Sequence, residues 1–284
     1  MKDAPRIVFV ANLWTLAGHP TPGREWSQAK KIRAVAAEEF DAVTTTATPG
    51  LKPLLQENGL RYTGFFSSSD PREFARLIRA QRAAGAENIN VQLGEDFTPV
   101  KQAAAWAVAL GREAKRQGIY TAIEVHRDTA TETPEKLRAI AAGYRRATGD
   151  WLPVTWDHSH LAVVKHLKPA LFSQMLLRAP RLIQSARLLH CRPFNGQHAQ
   201  VPVFAAHGRL TPEFKVWLGF AEELFRCWLA GPRPGNELWV CPEIGPVGVH
   251  GYNLTTMPPS WTQALVCKRE LAKLWRRLGG RRSL

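Results

Sequence analysis

The sequence predicts an α/β protein of the (β/α)8 TIM-barrel class, and three observations carry that prediction. Eight short apolar, β-branched runs recur along 284 residues. A helix-periodic stretch follows nearly every one of them. The first run leads into NLWTLAGHPTPG, which lacks the GxGxxG turn that an open dinucleotide-binding sheet would show.

The candidate strands are RIVFVAN (6–12), FDAVTTT (40–46), RYTGFFS (61–67), NINVQLG (88–94), YTAIEVH (120–126), LPVTWDH (152–158), ARLLHCR (186–192) and ELWVCPE (237–243). Each is short, rich in Val, Ile, Thr and aromatic residues, and bounded by turn formers, as a buried parallel strand requires. The stretches at 27–39, 71–85, 98–118, 134–149, 169–180 and 211–231 place apolar residues at helical spacing. They open with Ser, Asp-Pro, Thr-Pro or Pro, which start helices well. LKPLLQENG (51–59) reads as a brief helix, and 261–278 as the last one. No linker or low-complexity segment divides the chain, so residues 1–284 are expected to form a single domain, with 279–284 as a frayed basic tail. The stretch 193–212 is the one long connection, and such a loop is expected to cover an active site.

Composition narrows the partners. The formal net charge is +14, which favours anionic partners, although much of it lies on helix faces such as 112–118 and in the tail 268–284. No run approaches the length of about 18 apolar residues that a membrane helix needs. MKDAPRIVFVAN reads as a first strand, and a cytoplasmic protein is expected. The four cysteines lack CxxC spacing, so reduced, packed thiols are expected.

In a barrel, chemistry is carried at the C-terminal ends of strands. Four consecutive candidate strands end in a metal-ligating type: Glu124, Asp157, His190 and Glu243. Three carboxylates and one imidazole make a hard, mostly oxygen site that suits one divalent ion, Mn2+ first, with Mg2+, Co2+ or Zn2+ as alternatives. Without a cation the carboxylates would repel one another. Side chains two apart share a strand face, so His126 should point with Glu124, and Arg192 with His190. Asn90 and Gln92 share a face where Val or Ile would be usual. His160 lies just beyond Asp157, and His198 and Gln200 sit in the long loop as lid contacts. His250 follows the last strand. His158, Arg127, His166 and His207 read as surface or packing residues.

These motifs, E-x-H at Glu124, D-x-x-H at Asp157, H-x-R at His190 and the closing Pro242–Glu243, resemble those of the xylose isomerase-like TIM barrels. That group includes sugar isomerases and epimerases, hydroxypyruvate isomerases and endonuclease IV-type enzymes. The resemblance implies that Glu124, Asp157, His190 and Glu243 hold one divalent metal. It also implies that His160 and Arg192 contact substrate oxygens; His126, Asn90 and Gln92, by strand face, and His198, by its place in the long loop, are read as further substrate contacts. Glu124 and Glu243 become the catalytic pair of a metal-dependent isomerase or epimerase that acts on a sugar or sugar phosphate through an enediolate.

Where sugar epimerases carry a second Glu after the fifth strand, this chain reads EVHRDTATETPEK. E-x-H there also resembles metal-dependent dehydratases of cyclic keto acids, with His126 as acid or base. Endonuclease IV-type members need further His ligands, and FFSSSD (65–70) and QLGEDF (92–97) contain none, so nucleic acid is not the expected partner. The expected partner is a small substrate, an anionic one being favoured by the net charge, rather than a membrane, and the resemblance extends to homo-oligomers.

Overall fold

The computed structural model describes residues 4–205, 207–247, 252–254 and 256–282. Eight parallel strands close on themselves. They are β1 (Arg6–Asn12), β2 (Ala42–Thr44), β3 (Arg61–Ser68), β4 (Asn88–Leu93), β5 (Tyr120–Glu124), β6 (Val154–Asp157), β7 (Leu188–His190) and β8 (Glu237–Cys241). Each strand pairs with its sequence neighbour, and β8 returns to β1 through Ile7↔Leu238 and Val8↔Trp239. The (β/α)8 barrel read from the sequence is the fold observed.

The outer layer is helical. Its first half holds α1 (Gln28–Ala37), α2 (Leu51–Glu57), α3 (Phe74–Ala83), α4 (Val100–Arg116) and α5 (Pro134–Thr148). Its second half holds α6 (His158–Val164), α7 (Phe172–Leu176), α8 (Pro180–Gln184), α9 (Pro212–Leu229) and α10 (Ser260–Arg277). Local chemistry fixes the ends. Ser27, Thr133 and Thr211 accept hydrogen bonds from the backbone N–H groups of Lys30, Lys136 and Phe214, and Pro134 and Pro212 fill the first helical position. Gly149 ends α5 at φ 79°, a conformation that costs glycine nothing. Among the described residues no helix is long and apolar enough to cross a membrane.

Several boundaries differ from the sequence expectation. The helix expected at 169–180 breaks, because Ala179 is non-helical and Pro180 starts α8 as a separate turn. α6 begins directly at the end of β6, where Asp157 serves as strand terminus and helix cap together. The tail is not frayed over its described part. Gly279 turns the chain at φ 82°, and β9 (Arg281–Arg282) pairs in parallel with β1. Trp275 Nε1 donates to the Arg281 carbonyl at 3.0 Å.

Inside the barrel the layers change character along the axis. Val8, Val10, Ala42, Leu188, Trp239 and Cys241 form a buried apolar plug. Below it, the Arg61 guanidinium lies 4.4 Å from the Trp239 ring and pairs with Glu87 and Glu237. Above it the interior is polar, carrying Asn12, Asn90, Glu124, Asp157 and His190 on the C-terminal ends of β1 and β4–β7. The plug gives the polar layer a rigid, dry base.

The loop after β7 is pinned by buried amides rather than left free. Gln200 donates to the Gly245 carbonyl at 3.2 Å and accepts from the Gly245 N–H at 2.6 Å. Gln263, fully buried, accepts from Val203 N at 2.9 Å and donates to Asn253 Oδ1 and the Pro258 carbonyl. Gln263→Leu would orphan these groups, so a loss of about 3 kcal/mol is expected. Faster amide exchange at Val203 would locate the damage, and an unchanged exchange rate there would contradict the pinning role.

Candidate active site and metal centre

A cavity of about 770 Å3 opens at the C-terminal end of the barrel. Glu124, His190, Arg192 and Glu243 line it together with Asn12, Asn90 and Gln92. Glu243 is not on β8, as the sequence reading had it. It stands two residues past Cys241 in a tight turn, its N–H donating to the Cys241 carbonyl at 2.8 Å. His126 and Arg192 likewise lie just beyond the ends of β5 and β7.

His190 is the hub. Its Nδ1 lies 2.9 Å from Glu124 Oε1 and 3.1 Å from Glu243 Oε2. Neither ring nitrogen has an aligned hydrogen-bond partner, although both are buried. Glu124, His190 and Glu243 bring one donor atom each to within 4.8 Å of one another. With His190 Nδ1 deprotonated, its lone pair and the two carboxylates converge, and a divalent cation could take the place of the ring proton there, so these three residues fit a metal.

Other side chains hold the carboxylates in place. Asn90 Nδ2 and Gln92 Nε2 donate to Glu124 Oε2 at 2.9 and 3.0 Å, and Ser67 Oγ steadies Gln92 from behind at 3.0 Å. Asn12 Nδ2 donates to Glu243 Oε1 at 2.7 Å. Arg192 Nη2 donates to Glu243 Oε2 at 2.8 Å, and its Nε donates to Asp157 Oδ2 at 3.1 Å.

Asp157 is placed differently from the other three expected ligands. Its Oδ1 accepts from Ser159 N at 2.9 Å, and its Oδ2 faces both Arg192 and His160 Nε2, the latter at 3.4 Å. It stands outside the converging group of three. To ligate the same ion it would have to give up Arg192.

The electrostatics follow from burial opposed by charge. Burial pushes every buried carboxyl here upward, but the neighbouring cations win. His190 holds Glu124 below its usual range, and His190 with Arg192 brings Glu243 down to about 2. Burial pushes the His190 imidazole down, yet the Glu243 and Glu124 carboxylates raise it well above its ordinary value. Asp157 is lowered because Arg192 outweighs its burial.

The histidines divide. His126 lines the cavity, and its Nδ1 sits 2.6 Å from the Arg127 carbonyl, which can only accept. Nδ1 therefore carries the proton, and in the neutral ring Nε2 holds the lone pair. His160 packs behind it, its ring tilted by 52° at a centroid distance of 4.2 Å, and is buried rather than a cavity wall. His158 packs flat on Trp156, and burial lowers it to about 4, a packing histidine as expected.

Two expected lid contacts are corrected. His198 is exposed, with its ring turned back onto Asn195 Oδ1, and Gln200 is spent on Gly245. Among the described residues none of the 193–212 loop lines the cavity, because the amide network ties it to Gly245, Asn253 and Gln263. His250 lies outside the described residues.

The walls come instead from Trp14 and Trp26 after β1, from 126–129 after β5, and from Tyr252. Sequence reasoning missed Asn12, although its parity with Val8 and Val10 on RIVFVAN places it inside the barrel. It also read Arg127 as a surface or packing residue, whereas Arg127 lines the cavity, 4.8 Å from the Tyr252 ring. Trp14 and Tyr252 meet edge to face at 5.5 Å across two distant loops, a contact with no local signature.

No family model matches the sequence, and no curated protein is significantly similar to it. Solved structures are. The D-allulose 3-epimerase from Methylomonas sp. matches with a TM-score of 0.58 at 13% identity, covering 98% of this chain and 99% of its own. A xylose isomerase-like TIM barrel protein from Mycobacterium smegmatis in complex with magnesium matches at 0.58 and 14%, covering 95% and 97%. The probable 3-DHS dehydratase of petrobactin synthesis from Bacillus anthracis matches at 0.55 and 13%, covering 96% and 99%. These likenesses agree with the (β/α)8 barrel fold of this chain.

Proposed function

We propose that the protein is a divalent-metal-dependent isomerase or epimerase of a sugar, sugar phosphate or related hydroxy-carbonyl compound. The observation that carries this reading is the pair of buried carboxylates, Glu124 and Glu243, which approach one His190 nitrogen on the floor of the cavity. Glu124, His190 and Glu243 would hold the ion, with Asp157 as a fourth ligand if Arg192 yields it. An oxygen-rich set with one imidazole favours Mn2+ or Mg2+. When bound, the metal supplies Lewis-acid polarisation of the substrate carbonyl.

The chain's own residues account for the proton. Glu124 and Glu243 are both held ionised, so either can accept a proton from the carbon next to the carbonyl. Inversion of that carbon requires the opposite carboxylate to take up a proton from solvent and deliver it to the other face, while the first carboxylate keeps the proton it removed; delivery of the abstracted proton to the neighbouring carbon isomerises the substrate. The amides of Asn12, Asn90 and Gln92 keep the two carboxylates aimed without lengthening their reach. Arg192 Nη1, buried and without a hydrogen-bond partner among the described residues, is a donor available to a substrate oxygen. A structural neighbour that is a D-allulose epimerase supports the reading at the level of the fold.

A second reading rests on His126. With Nδ1 committed to a carbonyl, its Nε2 can act as base or acid in loss of water from a cyclic keto acid, and one neighbour is a probable dehydratase. Incubation in deuterium oxide with ketoses and with cyclic keto acids separates the two. Deuterium at the carbon next to the carbonyl with an epimer or isomer as product is expected. An unsaturated product from a keto acid would favour the dehydratase, and no exchange with any substrate of either class would remove both. The proposal includes a cytoplasmic setting and a homo-oligomer, both resting on the sequence reading.

A further inference from the structure

We propose that the substrate carries a carboxylate, seated on the Tyr252 wall of the cavity between Arg192 and Arg127; this rests on the proposed isomerase reading and narrows its substrate class. Both guanidiniums lie against the same ring, 4.5 Å from its centroid for Arg192 and 4.8 Å for Arg127. Both line the cavity.

Arg192 is 2% exposed, and its Nη1 has no hydrogen-bond partner among the described residues. A buried guanidinium N–H without an acceptor is costly, and a ligand oxygen relieves it. Among the described residues the ion-pair partner of Arg127 is Asp128, at 3.4 Å, and that carboxylate is 83% exposed and weakly held. Arg127 is thus free to turn its fork to a ligand. A planar carboxylate matches guanidinium geometry better than a hydroxyl does, because it can take two parallel N–H donors.

The floor explains why the anion would sit on this wall. Glu124 and Glu243 repel negative charge, and they leave the neutral hydroxy-carbonyl end as the part that can approach them. A sugar acid oriented with its carbonyl down and its carboxylate against Tyr252 satisfies both ends. The Trp14 ring, 5.8 Å from the Arg192 guanidinium, closes the same corner and limits water there.

Glucuronate and glucuronamide have nearly the same shape and differ in charge, so calorimetric titration of both tests the proposal. Wild-type protein is expected to bind glucuronate at least about tenfold more tightly. Arg127→Met, at a half-exposed position that tolerates substitution, is expected to reduce that preference to twofold or less while leaving glucuronamide affinity within twofold. Equal binding of the two ligands by the wild type, or a preference that survives in Arg127→Met, would overturn the carboxylate site. Metal content and deuterium exchange on neutral ketoses, measured on the same samples, keep the two ideas apart. Exchange without any glucuronate preference removes this proposal alone, and absence of both binding and exchange removes the isomerase reading with it.

Discussion

Arg192→Met is expected to destabilise the metal-free protein by about 3–5 kcal/mol, the cost of leaving buried carboxylates without their cation. Among the described residues Arg192 joins Asp157 to Glu243, and all three side chains are buried. Methionine fills much of the volume of the arginine stem, so the loss reports charge more than packing. The unfolding midpoint should fall by roughly 10 °C for a chain of this size. Adding Asp157→Asn to the variant should recover part of the loss, because one of the two orphaned charges is then gone.

The pH dependence has a definite sign. In the wild type, Asp157 and Glu243 have lowered folded values, so their contribution is present above the unfolded range near 4 and is lost as pH falls towards the folded values. In Arg192→Met the two carboxyls titrate higher, and the deficit against wild type should shrink in acid as they protonate. A loss below about 1 kcal/mol at neutral pH would mean that Arg192 is not the cation that makes this site foldable.

Glu124→Gln is expected to lower turnover by about 10²- to 10⁴-fold on the substrate identified by deuterium exchange, the usual weight of a positioned acid or base. The substituted amide keeps an oxygen to accept from Asn90 and Gln92, so the floor should hold its shape. What disappears is the proton acceptor and one negative charge facing His190. Lost exchange with a smaller stability loss than Arg192→Met, because Glu243 still faces His190, is therefore the expected pattern. Turnover within tenfold of wild type would assign the proton transfer to Glu243 or His126 instead.

Much of this was legible in the sequence because a barrel writes its plan locally. Each parallel strand is a short apolar run, and the residue that ends it faces the mouth by parity alone. Glu124 and His190 could be placed on that basis, and Glu243 nearly so. The misses share a cause, which is dependence on contacts distant in sequence. Asp157 reads as a ligand by position, but Arg192 and the α6 backbone compete for its oxygens. His198 reads as a lid, but Asn195 and the buried amides around Gln200 turn the loop away. Tyr252, Trp14 and Arg127 assemble a wall from three separate loops. The tail pairs with β1 because Gly279 can turn back, which charge composition does not reveal.

The central claim is that Glu124, His190 and Glu243 form a site for one divalent ion. Elemental analysis of protein equilibrated with Mn2+ or Mg2+ and then desalted tests it most directly, beside Glu243→Ala treated in the same way. The account predicts about one ion per chain in the wild type, by the donor set of one converging group, and a large loss in the variant. No retained ion in the wild type, or equal retention in Glu243→Ala, would contradict it.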